Sequence, residues 1–151
     1  DVCSSDLHHF TLVCADFAQL GQFVQISNAV FRAVKASTPG SYTFILPATK
    51  EVPRRLLHPK KLTVGVRIPK HTVVQALLEE LGEPLLSSTL LLPGDEFPLT
   101  DPDEIRDRLE KEVDLVIEAG PCRGEATTVI DLTSGIPVLV REGRGSLAPC
   151  G

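Results

Sequence analysis

Thr63, Gly65 and Arg67 occupy every second position of the run Leu62-Thr63-Val64-Gly65-Val66-Arg67-Ile68-Pro69. Strand side chains alternate with period 2, so these three share one face and Leu62, Val64, Val66 and Ile68 share the other. A hydroxyl, a gap and a guanidinium in line make a floor for an anion. Glycine lets a ligand reach the backbone, and arginine offers a planar fork to a carboxylate or phosphate. A half-exposed strand with a solvated arginine gives the same alternation. Hydroxyls and cations recur at other strand ends. Ser87 and Thr89 share a parity in the run 84–92, Thr127 and Thr128 open a strand behind Gly120 and Gly124, and Arg141 closes the last strand before Gly143 and Gly145. Such groups line nucleotide and small-anion pockets, and they also bond back to their own backbone. His58 and His71 are acid–base groups with no partner motif around them, and no spacing demands a covalent nucleophile.

The elements that must hold these residues follow from patterning. Residues 10–14 read as a strand, with Cys14 as a small core residue. Ser27 caps a helix running to about Ala36, Thr38-Pro39-Gly40 breaks the chain, and 42–46 is a second strand. A basic connector over 47–61 leads into the strand 62–68. Thr72 with Gln75 has the capping-box pattern of a helix that Gly82 ends. Residues 84–92 read as a buried strand and 93–100 as a loop. Asp101-Pro102-Asp103-Glu104 starts a helix to about Glu112, its acids a solvated face. Strands are expected over 114–118, 127–132 and 137–141. Interspersed strands and helices indicate an α/β fold with a mixed sheet.

Composition sets the bounds. The 151 residues, 42% hydrophobic and 23% charged, suit one soluble domain with a real core. No apolar run reaches the length of a membrane span, so no membrane partner is expected. Cys3, Cys14, Cys122 and Cys150 are far apart, without CxxC or histidines at ligand spacing. That pattern argues against a disulfide framework or a metal site and places the chain in a reducing cytoplasm. The net charge of −5 hides an asymmetry: 32–70 carries nine Lys/Arg and one acid, and 79–118 carries thirteen acids and three bases. The basic stretch suits anions, nucleotides or RNA. The chain contains no methionine. One back-translation of Asp1-Val2-Cys3-Ser4-Ser5-Asp6-Leu7 is GACGTGTGCTCTTCCGATCT, which resembles a common short-read sequencing adapter. Residues 1–7 are therefore read as a non-native leader, and 8–151 as the domain lacking its N-terminal portion.

Taken in order, the motifs resemble the YrdC/YciO family. The resemblance rests on Thr38-Pro39-Gly40-Ser41-Tyr42-Thr43-Phe44-Ile45-Leu46, Thr63-Val64-Gly65-Val66-Arg67-Ile68-Pro69, Thr127-Thr128-Val129-Ile130-Asp131 and Val140-Arg141-Glu142-Gly143. Lys50-Glu51-Val52-Pro53-Arg54-Arg55-Leu56-Leu57 and Leu85-Leu86-Ser87-Ser88-Thr89-Leu90-Leu91-Leu92-Pro93-Gly94 look like its YciO branch. The resemblance implies a twisted mixed sheet with flanking helices and an open, positively charged concave surface. It implies chemistry of the threonylcarbamoyl-AMP synthases, which join threonine, bicarbonate and ATP (with magnesium), release pyrophosphate and serve tRNA modification. It also implies tRNA or double-stranded RNA as a partner. By motif position, Arg67 would hold the threonine carboxylate, Ser87 and Thr127 would line the threonine site, Thr63 and Arg141 would contact the nucleotide, and Thr89 would stand near the ATP phosphates.

Two departures follow from the same resemblance. The synthases read Ser-Ala-Asn where this chain has Thr89-Leu90-Leu91, so Leu91 replaces an amide. The family's early threonine motif and its Lys/Arg phosphate motif are not found from His8 onward, so this chain is expected to be inactive as a synthase. Three functions compete: a YciO-type enzyme making or hydrolysing threonylcarbamoyl-AMP, an RNA-binding module, and a site adapted to another nucleotide. The RNA module would use Arg32, Lys35, Arg54, Arg55, Lys60, Lys61 and Lys70 on phosphates.

Overall fold

The computed structural model describes residues 10–122 and 126–147. The leader expected at 1–7, together with His8, Cys3, Gly124 and Cys150, lies outside them. The described residues fall into two compact units, one of residues 89–122 and one built from 10–88 and 126–147.

The larger unit holds the whole sheet. Its strands are β1 (Thr11–Val13), β2 (Tyr42–Pro47), β3 (Thr63–Arg67), β4 (Leu85–Ser87), β5 (Thr128–Asp131) and β6 (Val138–Arg141). They lie in the order β4-β1-β3-β2-β5-β6. β1 is parallel to β3 and β2 to β5, while the other three pairings are antiparallel. The expected mixed α/β sheet is present.

Register explains the two faces. Leu86, Leu12, Val66, Phe44, Ile130 and Leu139 pair across all six strands and so point the same way. Leu12, Val66, Phe44 and Ile130 form one buried cluster with Leu20 of α1 (Phe17–Phe23) and with Val30 and Val34 of α2 (Asn28–Ser37). This side of the sheet is the core. Cys14 belongs to it, as expected. The opposite row is Ser87, Thr11, Gly65, Ile45, Asp131 and Val138.

Helix starts follow side-chain chemistry. Ser27 Oγ accepts from the Val30 N–H, as the pattern predicts. The third helix, α3 (Thr72–Leu81), ends at Gly82 with φ 70°, also as predicted. Its cap differs from the expectation. His71 Nδ1, not the Thr72 hydroxyl, accepts from the Val74 N–H, and the Gln75 side chain donates to the Pro69 carbonyl. Helix α1 was not expected. Its signal is Asp16 followed three residues later by Gln19, whose N–H the Asp16 carboxylate accepts at 2.8 Å.

Three other expectations are corrected. The strand over 84–92 shrinks to β4, because β1 offers only three residues to pair with it. Among the described residues the strand expected over 114–118 is absent; its alternating Leu115 and Ile117 are exposed and have no ladder beside them. The acidic helix, α4 (Pro102–Leu109), ends before Glu112. It belongs to the smaller unit, where Asp101 caps it, Arg108 holds Asp95, and Arg106 pairs with Glu118. Among the described residues no helix is long and apolar enough to cross a membrane.

Candidate functional site

The non-core face of the sheet gathers most of the residues singled out by type and parity. β3 presents Thr63, Gly65 and Arg67 there. Gly65 pairs with Thr11 on one side and Ile45 on the other. A Cβ at Gly65 would sit 3.3 Å from Thr43 Cγ2 and 3.5 Å from Thr11 Oγ1. The glycine therefore leaves a gap between two threonines, and any side chain would fill it. Ser87 stands beyond Thr11 and donates to the Thr11 carbonyl at 3.4 Å.

Arg67 is the unusual group. It is half-buried in mid-sheet beside Val13, which is buried. Its guanidinium makes no hydrogen bond or ion pair among the described residues. Burial lowers its pKa from the ordinary arginine value, yet an arginine stays charged at neutral pH. A desolvated cation without an anion is a cost that a bound carboxylate or phosphate would offset.

A second cation closes the other end. Thr43 pairs with Val129, and Val129 with Arg141. The hydroxyls of Thr43 and Thr127 lie 2.8 Å apart. Arg141 donates from Nε and Nη2 to the Thr127 carbonyl at 3.3 and 3.0 Å, and Nη2 is 3.4 Å from Thr127 Oγ1. A register shift between Val129 and Ile130 puts Val138 and Arg141, three residues apart, on one face; plain alternation would oppose them. Arg67 and Arg141 are three strands apart, about 14 Å at ordinary strand spacing, with Thr43 and Thr127 between them.

Five of the six expected small-molecule contacts, Thr63, Arg67, Ser87, Thr127 and Arg141, therefore share this face. Thr89 belongs to the smaller unit, beyond the end of β4 at Ser87; it is exposed, and its carbonyl accepts from the Leu91 N–H. Thr11 and Thr43 were missed, though each sits in a short apolar strand at the parity of the ligand face. Thr128, by contrast, is fully buried and works structurally, donating to the Gly145 carbonyl and accepting from the Gly143 N–H. The histidines also serve locally: His58 Nδ1 accepts from the N–H groups of Lys60 and Lys61, as His71 Nδ1 does from Val74.

A separate cavity of about 550 Å³ opens where β1 and β3 end, lined by Asp16, Thr38, Pro69, Lys70, His71 and Gln75 among others. The basic residues expected to meet RNA are exposed and distributed: Lys35 on α2, Arg54 and Arg55 on a short 3₁₀ turn, Lys60, Lys61 and Lys70 beside β3. Lys35 also lies 5.4 Å over the Phe31 ring.

Comparison with known proteins places the chain in a family. The Sua5/YciO/YrdC family model, described as "Telomere recombination", matches residues 5–143. The chain belongs to the Sua5/YciO/YrdC family. It is 56% identical to YciO of Escherichia coli K12 over 144 residues, covering 95% of this chain and 70% of that protein. A protein of Haemophilus influenzae is 52% identical over 143 residues, with 94% and 69% covered. Among solved structures, the crystal structure of E. coli YciO superposes with TM-score 0.90 at 55% identity, over 96% of this chain and 70% of that one. P. abyssi Sua5 complexed with L-threonine superposes with TM-score 0.78 at 29% identity, over 89% and 39%.

Proposed function

We propose that the non-core face of the sheet binds an adenylate joined to an amino-acid carboxylate, of the threonylcarbamoyl-AMP class. The observation that carries this reading is Arg67, a half-buried guanidinium without an anion among the described residues, next to the gap at Gly65. Two cations at the ends of a hydroxyl-lined path suit a ligand with an anionic group at one end and a nucleotide at the other. The likeness to a Sua5 complexed with L-threonine supports assigning the carboxylate to Arg67, with Ser87 and Thr127 beside it. Thr63 and Arg141 then take the nucleotide. Thr89 keeps its assignment near the phosphates only as a family position.

The reaction class is nucleotidyl transfer. Threonine, bicarbonate and ATP give threonylcarbamoyl-AMP, with pyrophosphate and water leaving, for tRNA modification. Here the protein's part is positioning and electrostatics. Magnesium would accompany the ATP phosphates as part of the substrate.

Calorimetric titration with L-threonine and with ATP tests the reading. Arg67→Ala should weaken threonine binding by about 10- to 100-fold, the worth of one charge-assisted pair, and Arg67→Lys by less. Unchanged affinity in Arg67→Ala would remove Arg67 from the site. In turnover assays, threonine-dependent pyrophosphate release would indicate synthesis, and loss of preformed threonylcarbamoyl-AMP would indicate hydrolysis.

A second reading is an RNA-binding module without synthase activity. Lys35, Arg54, Arg55, Lys60, Lys61 and Lys70 are exposed, and none forms an ion pair among the described residues. Exposed cations of this kind favour sugar-phosphate contacts rather than base readout. This reading and the first are compatible.

A further inference from the structure

Thr43 and Thr127 share a hydrogen bond whose direction their surroundings decide. The two hydroxyl oxygens lie 2.8 Å apart, and either could donate. Each threonine hydroxyl has one proton to give and two lone pairs to fill. The pair therefore holds two protons and uses one of them internally. Arg141 Nη2 is 3.4 Å from Thr127 Oγ1, and a guanidinium only donates. Thr43 is 8% exposed, while Thr127 is half-buried. The Thr43 methyl faces the gap at Gly65, where a Cβ would sit 3.3 Å from it, and the hydroxyl faces Thr127. A β-branched side chain held on both sides in this way has little freedom to turn. Phe44 pairs with Val66 in antiparallel register, so Thr43 lies one step on, beside Arg67.

We infer that Thr43 is a positioning residue: it donates to Thr127 Oγ1 and leaves Thr127 able only to donate, outward, to a carboxylate oxygen of the ligand. Arg141 and Thr43 fill the two lone pairs of Thr127 Oγ1, and only its proton remains. In the reverse order the spare proton would belong to Thr43, the more buried of the two. The path beside Arg67 then offers donors alone, a guanidinium and a hydroxyl. That set accepts a carboxylate and rejects a carboxamide, whose NH2 group would meet another donor. The inference rests on the proposed ligand class, and adds which side chains make the site demand the acid.

Calorimetry with L-threonine and with L-threoninamide tests it on the whole chain. Thr43→Val keeps the shape and removes the donor, so a lone pair of Thr127 becomes free to accept an amide N–H. Affinity for threonine should fall about tenfold, and affinity for threoninamide should hold or rise. Thr43→Ser, which keeps the hydroxyl, should restore the preference for the acid. Thr43→Ala gives the same reading if the valine variant does not fold. Equal losses for both ligands, or an unchanged preference in Thr43→Val, overturns the inference. Arg67→Ala separates this result from the reading beneath it. If that change weakens threonine binding and Thr43→Val does not, the hydroxyl assignment falls and the ligand class stands. If the unaltered chain binds no threonine, both fall.

Discussion

Arg67 and Cys14 are separated by one strand pairing and one face, and that separation decides their chemistry. The Cys14 N–H donates to the Arg67 carbonyl at 2.9 Å, but the thiol is fully buried on the core side. Burial, with a smaller contribution from Asp16, pushes the Cys14 thiol up from 9.0 to about 12. The thiolate is the nucleophile, so Cys14 is inert near neutral pH. Iodoacetamide at pH 8, followed by peptide mapping, should modify exposed Cys122 at least a hundredfold faster than Cys14. The same shift sets a direction for stability. Between pH 9 and 12 the unfolded chain loses a proton that the folded chain keeps, so this contribution is intact below pH 9 and declines as pH rises through that window. The urea midpoint should fall from pH 8 to pH 10 by less in Cys14→Ala than in the unaltered protein. An equal fall in both, or rapid labelling of Cys14 in the folded state, would contradict the assignment.

The segment after β6 shows how an element holds a site it does not itself line. Gly143 lies so close to the turn before β5 that a Cβ there would strike the Ala126 carbonyl and come within 2.5 Å of the Thr127 carbonyl. Thr127 is the residue that Arg141 grips. Farther along, Gly145 lies against the Tyr42 ring, and the Tyr42 hydroxyl donates to the Ser146 carbonyl at 2.9 Å. These contacts tie the end of β6 to β2 and β5. Gly143→Ala should therefore destabilise by about 2 kcal/mol, the usual cost of forced overpacking, measured by denaturant melts. It should also displace Thr127, so ligand affinity should fall even in the molecules that remain folded. A neutral melt and unchanged affinity would show that the turn relaxes freely.

Charge is the property that belongs to the molecule rather than to any one element. The six exposed cations at Lys35, Arg54, Arg55, Lys60, Lys61 and Lys70, which form no ion pair among the described residues, predict strongly salt-dependent binding to duplex RNA. If all six meet phosphates, affinity should drop about a thousandfold between 50 and 200 mM salt. A flat salt response in filter binding would exclude that interface. Much of the architecture was legible beforehand. Period-2 runs located β2 and β3, Ser27 and Gly82 marked helix ends, and parity alone put Thr63 and Arg67 together. Local patterns carry such information because they are set by backbone geometry and hydrogen bonds between near neighbours. Strand lengths and cross-sheet partners were another matter. Residues 84–92 and 114–118 have strand-like sequences, yet a strand exists only where a neighbour offers a ladder. Thr11 and Thr43 came to share a sheet face with Gly65 and Arg67 because pairing between distant segments chooses which residues meet. The chain's residue order thus settled its family, its alternating faces and the cation at Arg67. The hydroxyl path from Arg67 to Arg141 and the shift that turns Arg141 onto it arise only when six separate strands share one sheet.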